Sequence, residues 1–505
     1  MSRTKNSFYN AITAVLLTLV NGLFGIVVTH LIISKYGSDF NGLNSTANQI
    51  INVLLILEGG FTLASNVALF EPISKSDYST SNGILKATRL KFRKIGILFI
   101  LIGTVISFIY SLVAKTELSR EFVFTVIFMA VVPQAVNLFF TTTYRVLLQT
   151  QQKEYIINTS TAITIGLGHI VNIIIIHFNC QMWMIRFVTM CFALLNCFLI
   201  AFYTKKKNAF LDFSVEPKPQ LIKGTSDVMA QKITGVVYNS WPIVFLSISP
   251  SGGTMLASVY AVYNNVFVML KSLLHGIIDA PRLGFGQMLT EKKREEVWVV
   301  FKDYEFIAVF FTFIAMTTAC GLILPFIYLY TKGVTDINYY DIQIAVLMVL
   351  IGSLEMLHIP SGHMINMSGN FKVSKKFQII ACVTLIITMT LFGYFNGVYG
   401  MLQSLLLVAI LLFLLEVGYI HIIFFEKKLP VFIRLVLPYM LLGAGISFLE
   451  MHLYKSNNGV LKFIIYGFIY FAVNIIFALV IGFIFDKSEV KNMLSRGKGL
   501  LKRMK

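Results

Sequence analysis

Apolar runs of about twenty residues, separated by short polar segments, recur along the whole chain, and each is long enough to cross a bilayer as a helix. The pattern predicts about fourteen membrane helices. They lie near residues 11–33, 44–70, 95–114, 122–148, 156–178 and 183–203, then 226–249, 255–280, 304–330, 342–366, 377–395 and 400–425, with a last pair at 435–453 and 461–485. A polar stretch at 204–225 carries Lys205, Lys206 and Lys207 and the Pro217-Lys218-Pro219 step, and it parts the first twelve helices into two sixes. The expected architecture is an all-α polytopic membrane protein: a six-helix lobe at 1–203, a linker at 204–225, a second six-helix lobe at 226–425, and a helix pair with a basic tail at 426–505.

Composition agrees with the pattern. Of 505 residues 56% are hydrophobic and only 13% charged, against about a quarter charged in soluble domains. The net charge of +18 would suit a nucleic-acid binder on one folded face. Here the Lys and Arg fall between apolar runs, which excludes that reading and fits cytoplasmic loops instead. With both termini placed in the cytoplasm, most of the 42 basic residues fall on that side, including Lys86, Arg89, Lys91, Arg93 and Lys94. These runs are read as topology signals that also attract anionic lipid headgroups. The first apolar run follows Arg3 and Lys5, exceeds a signal-peptide core in length and lacks a small-residue cleavage site, so it is expected to stay as the first helix. The five cysteines show no metal-ligand spacing and are read as packing residues.

Outer loops are too short to hold a soluble domain, so the chemistry belongs inside the membrane. Polar groups in apolar helices are therefore the candidates. The run at 255–286 carries Lys271, His275 and Asp279 at steps of four, on one helix face. The second helix of the first lobe carries Glu58 before Gly59-Gly60 at a matching depth. The first helix of each lobe carries an asparagine near its middle, Asn21 before Gly22 and Asn239 before Ser240-Trp241-Pro242. Interrupted, polar helices at corresponding positions of two halves point to a secondary transporter.

The residues leave several roles open. Lys271 could meet an anionic head group, pair permanently with Glu58 or another carboxylate, or snorkel to the interface. Glu58 could be its counter-ion, a protonatable coupling group or a helix-packing group. His275 could titrate in function or simply pack; Asp279 could face the lumen or pair locally with Arg282. Asn264 and Asn265 could bind sugar hydroxyls or pack helices. Arg145 near a cytoplasmic helix end and Arg186 near an outer one read as snorkelling side chains. Glu355, His358 and His363 suggest a metal cluster at first sight, but Pro360 breaks their spacing, so no metal and no cofactor is expected.

The stretch at 40–86 reads Gly42-Leu43-Asn44, Glu58-Gly59-Gly60 and Leu69-Phe70-Glu71-Pro72-Ile73 before a polar segment. It resembles the Wzx-like polysaccharide flippases of the multidrug/oligosaccharidyl-lipid/polysaccharide (MOP) exporter superfamily. Relatives often carry an aspartate in the seventh helix, where this chain has Asn239-Ser240-Trp241-Pro242. The resemblance implies a non-enzymatic flippase of the bacterial cytoplasmic membrane. Its substrate would be an undecaprenyl-diphosphate-linked oligosaccharide, moved by two lobes alternating access, for O-antigen, capsule or exopolysaccharide assembly beside a polymerase. It also implies that the last helix pair forms a groove for the lipid tail. An ion-coupled multidrug exporter of the same superfamily, or a membrane polymerase or glycosyltransferase, are the rival readings.

Overall fold

The computed structural model describes residues 3–222, 225–279, 281–453 and 459–504, with side chains for all of these but 3–5, 7–8, 225–232, 283 and 496–504. Every regular element among the described residues is helical, as a chain in hydrocarbon requires when no water can satisfy its backbone. The elements are α1 (Arg3–Tyr36), α2 (Ser38–Leu54), α3 (Phe61–Ser74), α4 (Tyr78–Val113), α5 (Arg120–Val136), α6 (Thr142–Thr150), α7 (Glu154–His177), α8 (Trp183–Lys207) and α9 (Thr225–Ile248). There follow α10 (Thr254–Ile278), α11 (Arg282–Glu291), α12 (Arg294–Tyr330), α13 (Ile342–Met367), α14 (Phe371–Thr388), α15 (Tyr394–Gly418), α16 (Pro430–Leu453), α17 (Val460–Phe485) and α18 (Lys487–Met504). By contacts the chain divides into Met1–Ser258 and Val259–Lys505.

Among the described residues eleven helices are long and apolar enough to cross a membrane, twelve when a bent pair is counted as one span. The chain is therefore a multi-pass membrane protein. The count falls short of the fourteen expected for two physical reasons. Phe371–Phe424 forms one helical stretch of 54 residues, about 80 Å long at 1.5 Å per residue if it were straight. It is not straight: a π-helical turn at Met389–Gly393 precedes Gly397, whose φ of 54° and ψ of −127° reverse the path, and α14 packs against α15. Only glycine takes that conformation without strain. The second reason is α9, whose described apolar part, Ile233–Ile248, is shorter than a full span.

The bent pair corrects another expectation. A single helix was expected over 44–70, yet the chain breaks after the 3₁₀ turn Leu55–Glu58, where Gly59 (φ 59°) and Gly60 (φ 72°) are both left-handed. The two arms meet at 50°. Two consecutive left-handed residues end any α-helix, and glycine is the residue that adopts them freely.

Within Met1–Ser258, α1 runs along α7, α4 along α5, and α2 along α9. A polar knot fixes the start of α2. The Asp39 carboxylate accepts from Thr116 Oγ1 at 2.8 Å, from the Glu117 amide at 2.8 Å and from the Thr254 hydroxyl. Asn41 Nδ2 donates to Ser258 Oγ at 2.7 Å, and the Thr254 amide donates to the Lys115 carbonyl at 2.9 Å.

The polar segment after α8 is not a loose tether. Phe210 stacks on Tyr78 at 4.4 Å and its carbonyl accepts from Asn82; Arg89 lies 4.4 Å over the Phe213 ring, and Lys86 donates to the Phe213 carbonyl. The Lys218 amide closes onto the Gly83 carbonyl at 3.0 Å. Lys86 and Arg89, read from the sequence as loop charges, thus hold this segment on the start of α4.

Within Val259–Lys505, α12 is the central element, packed by α13, α16 and α17. Phe306, Phe310, Phe313 and Tyr439 lie in its apolar core. The final pair α16–α17 is polar at one point: Asn474 Nδ2 donates to Glu450 Oε1 at 3.0 Å and to Thr318 Oγ1 at 2.9 Å.

Asp486 follows α17, outside the span, with Oδ2 buried and unbonded. Burial first, and Glu489 beside it second, push its carboxyl up from 3.8 to about 6. A raised aspartate pKa means the folded state holds its proton longer than the unfolded chain, so stability falls as pH rises from 3.8 to about 6 and stays lower above. Asp486→Asn is expected to raise the melting temperature at neutral pH and to flatten its decline over that window, measured on detergent-solubilised protein.

Candidate functional site

The site is a ladder between α10 and α13. Lys271 Nζ lies 2.7 Å from Glu355 Oε2, with side chains 19% and 12% exposed. Two turns further along, Asp279 Oδ1 is 3.2 Å from His275 Nδ1 and 3.5 Å from His363 Nε2. Both cross-helix rungs join residues 84 positions apart in sequence, as expected of two helices that run parallel in fixed register. Gly352 of α13 packs closely on α12, where a β-carbon would come within 3.0 Å of Met316, and lies in ordinary contact range of the Phe267 ring of α10.

A third helix completes the lower rung. The Tyr304 hydroxyl of α12 lies 2.8 Å from His363 Nδ1 and donates to the Ile278 carbonyl at 2.8 Å. With the Tyr304 proton donated to Ile278, the contact with His363 is a hydrogen bond from Nδ1–H to the Tyr304 oxygen, and Nε2 is the nitrogen turned to Asp279. The ladder is graded in access. Lys271 and Glu355 are mostly sealed, whereas the His275 and Asp279 side chains are 44% and 39% exposed.

Of the residues singled out from the sequence, the structure joins His275 to Asp279 and sets Lys271 on a separate rung of the same ladder. It supplies Glu355 as the partner of Lys271. Asp279 turns to the two histidines; the Arg282 amide donates to its carbonyl at 3.1 Å, and the local ion pair with Arg282, one of the two readings from the sequence, does not occur among the described residues. Asn264 is half-buried on α10, about two turns before Lys271. The other candidates belong to Met1–Ser258. Glu58 Oε1 accepts from the Thr62 amide at 3.3 Å across the glycine break. Asn21 is exposed on α1, and Asn239, also exposed, donates to the Gly235 carbonyl one turn back at 2.8 Å.

The three residues that suggested a metal cluster are spent separately. Glu355 faces Lys271, His358 Nδ1 lies 2.8 Å from Glu416 Oε2, and His363 joins Tyr304 and Asp279. Among the described residues, no group of three or more His, Cys, Asp and Glu is placed to hold a metal ion. Sequence reasoning missed Glu355 as a site residue. The signal was present: a carboxylate and a lysine buried in apolar helices usually find each other.

The fold that carries this ladder is similar to that of solved transporters of the MOP superfamily. The lipid II flippase MurJ in an inward closed conformation aligns with a TM-score of 0.66 at 13% identity, covering 95% of this chain and 100% of that one. A multidrug resistance MATE transporter in its inward-facing conformation aligns with a TM-score of 0.63 at 13% identity, over 81% and 98% of the two chains. A MOP transporter from Pyrococcus furiosus, described as having a binding pocket of reverse polarity, aligns at 0.52 and 14% identity over 85% and 98%. No family model and no curated protein sequence matches the chain.

Proposed function

We propose that this protein is a flippase that carries a lipid-linked oligosaccharide diphosphate across the bacterial cytoplasmic membrane. What supports the reading is a lysine inside an apolar helix, held by a carboxylate that an incoming anion can replace, in a chain whose length matches all of the lipid II flippase fold. The diphosphate takes the place of Glu355 at Lys271, with His275 and Asp279 at the more open end of the ladder. Asn264 on the same helix, Asn239 on α9, and Glu58 and Asn21 in the first lobe are the proposed lumen groups for the sugar. Both termini are placed in the cytoplasm. The lobes are 1–203 and 226–425, and α16–α17 serve the lipid tail.

The substrate in this reading is an undecaprenyl-diphosphate repeat unit for a surface polysaccharide, handed on to a polymerase. A deletion strain should accumulate such units on the inner leaflet, and plasmid-borne wild type should clear them. A second reading, a multidrug exporter, draws on the MATE likeness and on Glu355 as a carboxylate that could meet a cation. Drug efflux restored by the gene, with no accumulation of lipid-linked sugar on deletion, would replace the first reading by the second.

A further inference from the structure

A cavity of about 350 Å³ lies wholly within Met1–Ser258, walled by α5, α6, α7, α8 and the π-helical turn Asn137–Thr141. Its size is that of a small-ligand pocket. Its chemistry is unusual for the inside of an apolar bundle. Arg145 lines it, no carboxylate lies among the lining residues, and no ion pair of Arg145 occurs among the described residues. Its Nε is buried without a hydrogen-bond partner, and so is Nε2 of His169 on the same cavity wall. The snorkelling expected of Arg145 from its place near a helix end is not what the structure shows.

Asn196 on the cavity wall is engaged with its own neighbours, accepting from Ser160 at 2.8 Å and donating to Thr161 at 3.1 Å, and no hydrogen bond between it and Arg145 occurs among the described residues. By exposed area the wall is mostly apolar, with Ile165 and Phe192 among its lining, while Gln134, Asn137 and Asn172 add neutral amides, the Asn172 Oδ1 buried without a partner. A guanidinium in such surroundings costs free energy until an anion meets it, and its planar donor edge matches a carboxylate. We infer that this cavity binds a small apolar monoanion, its carboxylate on Arg145 and its body against Ile165 and Phe192. The inference is independent of the Lys271 reading, because every lining residue lies in the other unit.

The test is ¹⁹F NMR on the full-length protein in nanodiscs, with 4-fluorobenzoate as probe, 4-fluorobenzamidine as its cationic twin and empty nanodiscs as blank. Saturable binding of the benzoate is expected, with none for the benzamidine, and Arg145→Gln should weaken it tenfold or more. Ala193→Phe fills the cavity while leaving Arg145 in place, so it should abolish binding even if the arginine variant folds poorly. Equal binding of both probes, binding untouched by Ala193→Phe, or displacement of the benzoate by inorganic phosphate at equal concentration would each overturn the inference.

Discussion

Replacing Lys271 by alanine should abolish flipping and also lower the melting temperature, because it takes the ammonium away from a Glu355 side chain that is only 12% exposed. Removing one partner of a buried pair costs about 3–5 kcal/mol. That double loss is ambiguous by itself, since a protein that unfolds also fails to transport. Glu355→Gln in the Lys271→Met background removes both charges at once and should restore most of the stability, as apolar or neutral replacements of buried pairs often do. Flipping in that double variant separates the roles. If Lys271 meets the diphosphate, reconstituted transport stays tenfold or more below wild type while the melting temperature recovers. Transport recovering together with stability would reduce Lys271 to a structural partner of Glu355 and remove the substrate contact from the proposed mechanism.

The second large effect is expected at Gly42. A β-carbon there would stand 1.7 Å from the Thr254 carbonyl oxygen and 2.6 Å from its carbon, both backbone atoms that cannot swing aside. Gly42→Ala must therefore push α2 off the start of α10 and loosen the Asp39–Thr254 and Asn41–Ser258 hydrogen bonds together. Overpacking costs about 1–3 kcal/mol, and each hydrogen bond lost adds about 1 kcal/mol. The expected result is a large fall in melting temperature and in the yield of folded protein from membranes. Gly25→Ala on α1 is the matched control. Nothing lies within 4 Å of its would-be β-carbon, so it should be neutral or slightly stabilising through helix propensity. Similar losses at both positions would show that the contact with Thr254 is not what makes Gly42 special.

Apolar run length made most of the helices readable, because a span is a property of one continuous segment. Gly59-Gly60 and Gly397 were readable only as glycines. That they bend or reverse the path depends on left-handed or otherwise glycine-only dihedrals, which composition does not specify. The face carrying Lys271, His275 and Asp279 followed from helix period alone, whereas the identity of their partners did not. Glu355 and His363 stand 84 residues downstream of Lys271 and Asp279, a spacing set by the lengths of α11, α12 and their turns rather than by any local pattern. Arg145 shows the opposite error. Its nearness to a helix end is a statement about depth, but whether it reaches the interface or a cavity depends on which way α6 is turned, and the π-helical turn before it sets that rotation.

The shared spacing of the two rungs also limits how α10 and α13 can part. Sliding one helix along the other by one turn, about 5.4 Å, would carry Lys271 from Glu355 to Ile351 or Ile359, and Asp279 from His363 to Ile359 or Met367. Such a slide separates both Lys271 and Asp279 from their cross-helix partners and brings at most His275 level with Glu355, so a ratchet between the helices has no equivalent next notch. Any opening of the ladder has to be a lateral separation or a rotation that releases both rungs, and the pair behaves as a latch with a single closed position.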